Sequence, residues 1–281
     1  MTTPTAPVPT DLEALAESIA REAGELALAQ RRRGIELAGT KSSRSDVVTQ
    51  ADLAVEQLVR DRIERARPGD SVLGEEGGEQ LGAGDGAEGA VTWVVDPIDG
   101  TVNYVYGIPV WSVSIAAAVG GTVVAGAVVN PSTGEVFTAA AGGGARLDGR
   151  PLHRGHEVPD LAVALVGTGF GYTAVNRAVD GWVVAQLLPK VRDIRRIGSA
   201  SLDLCMVATG QLDAYYERGL NPWDHAAGGL VAAEAGHTVA GLGGGPAGRD
   251  FLLAAPSGLW EALRDTLGPL FDDPRGTRPP A

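Results

Sequence analysis

A single cysteine, Cys205, leaves this 281-residue chain no partner for an intrachain disulfide and no material for a cysteine-rich metal site. It lies in the apolar stretch LDLCMVATG, where a small buried hydrophobe is the ordinary reading and a catalytic thiol the exceptional one. Positive charge is also scarce: 23 Lys and Arg stand against 35 Asp and Glu, a formal net charge of −12. Binding a phosphate backbone needs clustered Lys and Arg, so nucleic acid is not expected as the main ligand. A small phosphorylated substrate stays open, because a bound cation reverses the local sign of a site. No run is long and apolar enough to span a bilayer, so no membrane association is expected. The stretch MTTPTAPVPT lacks the charged-then-apolar order of a signal peptide, and a reducing cytoplasm is the expected location. The patterns G-x-x-x-x-G-K-[ST], H-E-x-x-H and G-x-S-x-G are missing too, which removes P-loop, zincin and nucleophile-elbow chemistry.

What is present is an ordered alternation of patterns. Leu12, Leu15, Ile19, Ala23 and Leu26 form a helical stripe within 10–33, with Thr10 and Glu13 as a capping box and Arg31–Arg33 beside the negative end of the dipole. Gly34 ends that helix. A second helix is expected from about Thr49 to just before Pro68, with Val55, Leu58, Val59 and Ile63 inward and TKSSRSDVV as a polar loop ahead of it. From Val91 the runs VTWVV, SVSIAAAV, TVVAGAVVN and EVFTAAA are separated by short Gly-rich turns, which predicts an antiparallel meander. After Asp148-Gly149 strands and helices alternate: LAVALVGT, DIRRIG, LDAYYE, HTVA and DFLLAAP read as strands, with helices between them and SGLWEALRDTL closing. The expectation is an α+β lobe over 10–150 and an α/β lobe over 151–270 meeting at a cleft, with 1–9 and 271–281 as flexible tails.

Chemistry concentrates in VTWVVDPIDGTVNY. Asp96 and Asp99 close an apolar run, and Pro97 keeps the residue before it extended so that the chain turns there. Such a turn aims two carboxylates and the Ile98 carbonyl at one point, while Gly100 presents no Cβ to an approaching ligand. A helical turn opening at Thr101 would add amide donors for an anion. An Asx-capped turn is the alternative for the hexapeptide taken alone. Three other acidic segments share its placement: Glu75-Glu76 after the short apolar SVL, Asp224 at the start of a helix, and Asp52 in the first turn of another. Each has a plain reading, as a solvated loop, an N-cap or a dipole-favoured acid. All four lie at strand ends or helix starts, the ends that face a cleft in layered α/β architectures.

LGEEGG, DPIDGTVNY and WDHAAGGLVAAEAG, in that order, together with RRIGSASLDLCMVATGQLDAYYERG, resemble the signature segments of the inositol monophosphatase family of metal-dependent sugar phosphatases, along nearly the whole chain. The resemblance is to the bacterial inositol-1-monophosphatases. It implies a layered α-β-α-β-α sandwich, a homodimer, and hydrolysis of inositol monophosphate to inositol and phosphate by direct attack of a metal-activated water. Mg²⁺ is the implied cofactor, with Mn²⁺ able to substitute, and lithium the implied inhibitor. By position, Glu75, Asp96, Asp99, Asp224 and the Ile98 carbonyl are the implied metal ligands, with Asp96 bridging two ions. Thr101 and Asp52 are implied to orient the water, with Glu75 also catalytic. The Gly100 and Thr101 amides are implied to hold phosphate; Gly198, Ser199, Ala200 and Glu217 to touch the alcohol, with Asp224 close by. Glu75, Ile98 and Asp99 also count among the substrate contacts. All-oxygen ligation suits Mg²⁺ or Mn²⁺ over Zn²⁺.

Some residues depart from the family pattern or stay outside it. His237 stands where a glycine is usual, and Tyr104 and Tyr106 stand where Phe and His are common, which makes substrate access a point to check. His225 is expected to point away from the site, His153 and His156 to lie in loops, and Lys41 to be a solvated loop lysine. Other readings remain. A haloacid-dehalogenase-type phosphatase also uses an Asp-rich strand end, but with acids two apart and a covalent aspartyl intermediate. Relatives with the same motifs take histidinol phosphate, fructose 1,6-bisphosphate or nucleotide 3′-phosphates, and Thr168-Gly169-Phe170 with Glu217 is the region expected to choose among them. The last alternative is a non-catalytic regulatory protein on this scaffold.

Overall fold

The structure, a computed structural model, describes residues 7–40, 47–153 and 160–273. It opens with α1 (Pro9–Arg33), β1 (Leu37–Thr40), β2 (Val47–Thr49), α2 (Gln50–Ala66), β3 (Ser71–Gly74), β4 (Gly78–Gln80) and β5 (Val91–Asp99). Next come α3 (Thr101–Tyr106), β6 (Ser112–Val119), β7 (Thr122–Asn130), β8 (Glu135–Ala140), β9 (Gly144–Leu147) and β10 (Arg150–Pro151). The remainder is β11 (Leu165–Thr168), α4 (Ala174–Leu187), β12 (Asp193–Arg195), α5 (Ala200–Thr209), β13 (Ala214–Glu217), α6 (Pro222–Glu234), β14 (Thr238–Ala240), β15 (Leu252–Ala255) and α7 (Ser257–Asp272).

Eight strands form one sheet in the order β10-β9-β8-β7-β6-β5-β3-β4, and five form a second in the order β12-β11-β13-β15-β14. The expected meander is β5 to β8, and β9 and β10 extend it, antiparallel throughout; β3 joins β5 in parallel. In the smaller sheet β11 runs parallel to both neighbours, while β15 is antiparallel to both of its own. Period-two alternation divides the larger sheet's side chains. Trp93, Val95 and Ile115 pack with α1 and α2, and Val94, Ala116 and Val128 pack with α5 and α6. Helix α5 is apolar nearly all round because it is buried on two sides. Leu202, Cys205 and Ala208 meet the larger sheet, and Leu204 and Val207 meet β13 and β15. The far face of the smaller sheet carries α4 and α7, through Val183, Leu187, Leu259 and Leu263. The layers are therefore α-β-α-β-α. Leu204 is fully buried between two layers, so truncating it to Ala costs on the order of 2–5 kcal/mol.

Local signals account for the helix starts, with exceptions. Thr49 caps α2 through a complete capping box with Asp52. At α1 the expected box of Thr10 and Glu13 is absent: the helix begins one residue earlier, with Pro9 inside its first turn and Val8 at the cap. Proline is preorganised for that position, and Glu13 instead pairs with Arg146 at 3.2 Å. Part of the stretch expected as a polar loop before α2 pairs as the antiparallel β1–β2 hairpin, since Val47 and Val48 supply strand-favouring residues. The run expected as one strand at LAVALVGT begins as a 3₁₀ turn, Leu161–Val163, capped by Asp160, and only then becomes β11. Among the described residues no helix is long and apolar enough to cross a membrane.

Candidate active site

The paired aspartates lie inside β5 and not beyond it. The strand continues through Pro97 because its register against β6 shifts between Asp96 and Asp99. That irregularity accommodates a residue with no N–H to give the ladder. Asp96 is buried, and its Oδ1 accepts from the Ile98 amide at 3.1 Å. The chain then turns at Gly100, with φ of 92°. A Cβ there would sit 2.9 Å from the Gly198 carbonyl oxygen, so glycine is required both by conformation and by the close approach of the loop before α5. Thr101 opens α3 with its Oγ1 3.1 Å from the Ile98 carbonyl and 3.4 Å from Asp52 Oδ1. Asp52 is held from behind: its Oδ2 accepts from the Thr49 amide at 2.8 Å and the Thr49 hydroxyl at 2.5 Å.

The other acids arrive from separate segments. The Glu75 amide donates to the Val95 carbonyl at 3.2 Å, which extends the β3–β5 pairing and sets Glu75 beside Asp96. Glu76 continues the turn, its amide bound to Glu56 Oε2 at 2.7 Å; Glu56 also accepts from the Gly77 amide and is paired with Arg60 at 2.8 Å. Asp224 lies in the first turn of α6, where its Oδ2 accepts from the Asn221 amide at 2.6 Å. Burial, then the Glu75 and Asp99 carboxylates, push its pKa well above the usual range. Asp99 leans the other way, onto the start of α5. Its Oδ2 accepts from the Ser199 hydroxyl at 2.7 Å, the Ser201 amide at 2.8 Å and the Ser201 hydroxyl at 2.5 Å, and its Oδ1 from the Ala200 amide at 3.2 Å. Burial raises the Asp99 pKa above the usual carboxylate range, and these four donors offset only part of that rise.

Glu75, Asp96, Ile98, Asp99, Gly100, Thr101, Gly198, Ser199, Ala200, Glu217 and Asp224 all line one cavity of about 430 Å³ between the two sheets; Asp52 stands behind Thr101, outside it. Glu217 ends β13 and accepts a hydrogen bond from Tyr215 Oη. Burial, the largest influence, pushes its pKa up to about 7. Among the described residues no three acidic, His or Cys side chains close into a tight metal cage. Glu75, Asp99 and Asp224 carry like charge, and Asp99 is drawn to the start of α5. The donor set itself, carboxylates with one backbone carbonyl, suits a hard divalent cation.

The chain matches the model of the inositol monophosphatase family over residues 9–269. The chain belongs to that family. An inositol-1-monophosphatase of Mycobacterium leprae is 48% identical over 269 residues, covering 91% of this chain and 92% of the relative. The solved structure of Mycobacterium tuberculosis SuhB superposes with a TM-score of 0.79 at 45% identity, covering 94% of this chain and 98% of that one. A protein of Escherichia coli K12 named Nus factor SuhB is 38% identical over 232 residues, covering 82% of this chain and 85% of the relative. The layered architecture is thus the family's, and family membership supports a phosphatase.

Several cavity residues were given no role by the sequence. Arg196, Arg218 and Arg249 line it, so the cavity carries positive as well as negative charge in a chain of net −12. Asp203 lies in α5, 1% exposed, and its Oδ1 has no hydrogen-bond partner. Burial, then the charges of Glu217 and Asp99, raise its pKa well above the usual range. An acid inside an otherwise apolar helix was the available clue. Other expectations resolve differently. Tyr104 does not govern access: it is fully buried, donates from Oη to the Ala27 carbonyl at 2.9 Å and meets Trp111 edge-on at 4.9 Å. Tyr106 is exposed, and neither tyrosine lines the cavity. His225 and His237 are off the cavity as well, and His153 is exposed. Gly169 and Phe170 do line it; a Cβ on Gly169 would meet Glu217 Oε2 at 1.8 Å, so glycine there makes room for that carboxyl. Lys41 and His156 lie outside the described residues.

Proposed function

We propose that this protein is a Mg²⁺-dependent phosphomonoesterase that hydrolyses inositol monophosphate, with Mn²⁺ able to replace Mg²⁺. The observation that carries this reading is the convergence of Glu75, Asp96, Asp99 and Asp224, from three separate segments, on one cavity that Glu217 also lines. Glu75, Asp96, Asp224, the Ile98 carbonyl and Asp99 Oδ1, the less committed of its two oxygens, are the groups to hold the cation. When bound, it supplies charge neutralisation, acidification of water and stabilisation of the leaving alkoxide.

The chain's own residues divide the remaining work. The Thr101 hydroxyl has two acceptors, the Ile98 carbonyl at 3.1 Å and Asp52 Oδ1 at 3.4 Å; with its proton turned to Asp52 its lone pairs orient the attacking water. The Gly100 and Thr101 amides receive the phosphoryl oxygens. Gly198, Ser199 and Ala200 shape the floor under the leaving alcohol, and Glu217 accepts its hydroxyls. Asn103 keeps the two halves in register by donating from Nδ2 to the Val110 carbonyl at 2.7 Å and the Ile197 carbonyl at 2.9 Å. Homodimerisation and a cytoplasmic location belong to the same reading.

The relative named as a Nus factor favours a second reading, a regulatory protein on this scaffold. One experiment separates them: phosphate release from inositol 1-phosphate, histidinol phosphate, fructose 1,6-bisphosphate and nucleotide 3′-phosphates, with and without Mg²⁺. The expected result is Mg²⁺-dependent release, fastest from inositol 1-phosphate and suppressed by lithium. Release a hundredfold faster from another ester in kcat/KM overturns the substrate; no release from any ester overturns the enzyme in favour of the regulatory reading.

A further inference from the structure

Two fully buried serines meet at the seam between the larger sheet and α5. Ser112 on β6 and Ser201 on α5 are each 0% exposed, and their hydroxyl oxygens lie 2.6 Å apart. The register fixes where this happens, because Ser112 is the residue directly opposite Asp99 across β5 and β6. The proton order follows from the acceptors. An ionised carboxylate only accepts, so the Ser201 proton points to Asp99 Oδ2 at 2.5 Å. The Ser112 proton is then the one in the hydroxyl pair, donated to Ser201 Oγ. Each hydroxyl polarises the next, which strengthens the terminal bond to the carboxylate.

This relay ends on a crowded atom. A carboxylate has about four acceptor positions, two per oxygen. Asp99 Oδ2 already serves the Ser199 hydroxyl, the Ser201 amide and the Ser201 hydroxyl, while Oδ1 serves only the Ala200 amide. A cation reaching Asp99 competes with those donors for lone pairs. The two amides belong to the start of α5 and remain whatever the side chains do; the hydroxyls are the adjustable part.

We propose that Ser112 and Ser201 are positioning residues that hold Asp99 against α5 and thereby weaken the site's grip on a divalent cation. The proposal rests on the reading of this cavity as a cation site. It makes the serine relay a setting device: the relay stabilises the cation-free state of Asp99, and a hydroxyl removed from it is a donor the cation no longer has to displace. Coupling runs both ways, so a bound cation loosens the cap of α5 and reaches the floor of the alcohol recess at Gly198 and Ser199.

The test is calorimetric titration of Mg²⁺ into cation-free wild-type protein, Ser201→Ala, Ser112→Ala and the double variant, with near-ultraviolet circular dichroism to verify the fold. Ser201→Ala is expected to bind Mg²⁺ about tenfold more tightly, the scale of one hydrogen bond to a charged group. Ser112→Ala is expected to shift affinity the same way by about threefold, and the double variant to match Ser201→Ala, because a relay is not additive. Thermal melts are expected to show a larger Mg²⁺-induced rise in Tm for both single variants than for wild type. Unchanged or weaker binding in either folded variant overturns the proposal while leaving the cation site standing. If Ser201→Ala does not fold, Ser112→Ala decides, since it leaves both Asp99 and its direct donors in place. Absence of Mg²⁺ uptake by the wild-type protein overturns the relay and the reading of the site together.

Discussion

Asp52 and Asp224 occupy the same place in the same local motif, and the molecule uses them differently. Each is the third residue of its helix and each closes a capping box, with Thr49 and with Asn221. Asp52 is fully buried among donors: the Thr49 amide and hydroxyl hold one oxygen and the Thr101 hydroxyl approaches the other. Asp224 has the Asn221 amide on one oxygen, while the carboxylates of Glu75 and Asp99 add to its burial in raising its pKa. A capping box says where a helix starts. Whether the acid in it is surrounded by donors or crowded by like charge is decided by neighbours distant in sequence.

The sharpest way to break that contrast is to neutralise each acid in turn. Asp224→Asn keeps an oxygen to cap α6 but removes a charge that Glu75 and Asp99 oppose. Its kcat/KM for phosphate-ester hydrolysis is expected to fall about 10²–10³-fold, the range for losing one group that answers transition-state charge. The same change is expected to raise Tm in the absence of Mg²⁺, because it relieves repulsion. Asp52→Asn is expected to do the reverse in stability, losing about 1–2 kcal/mol in urea denaturation as the Thr49 and Thr101 hydroxyls lose a charged acceptor. A stabilised Asp52→Asn, or an Asp224→Asn with normal turnover, would show that the two acids had been assigned each other's roles.

Glu217 extends the comparison to the alcohol side. Its pKa of about 7 lies above the ordinary 4.5, so the folded state holds a proton that the unfolded chain has released. That contribution to stability is fully present below about pH 4.5 and is lost as pH rises through about 7. Glu217→Gln is expected to flatten the fall of Tm across that window in cation-free protein; an unchanged slope assigns it to Asp203 and Asp224, whose pKa values are raised too. The smallest effect is reserved for a residue off the cavity. Tyr104→Phe leaves the Ala27 carbonyl without its donor and is expected to cost about 1 kcal/mol in urea denaturation with turnover unchanged.

Much of the fold was legible beforehand because period and punctuation are local properties. The β5–β8 meander, the strand–helix alternation after Asp148 and the start of α2 near Thr49 all follow from neighbours within a few residues. The errors were local signals overruled by better ones, as at α1, where Pro9 displaced the Thr10 box. At the site, the motifs pointed to acids at element ends, and the structure brings those acids to one cavity. The residues alone did not separate Glu75 from Glu76; the family resemblance chose Glu75, which is the one that continues beside β5. The motifs also assigned no role to the cavity arginines, although Arg196 and Arg218 lie within RRIGSASLDLCMVATGQLDAYYERG.

By itself the sequence determined which elements form and which segments carry acids, since hydrophobic period, proline, glycine and capping residues act over a turn or two of chain. Only the tertiary structure decided what each acid experiences. Asp99 became the cap of a helix about a hundred residues away, Asp203 was buried with an oxygen left unpaired, and Asp224 was set against Glu75. Desolvation and charge–charge repulsion depend on distance through space, and the folded layers alone set those distances.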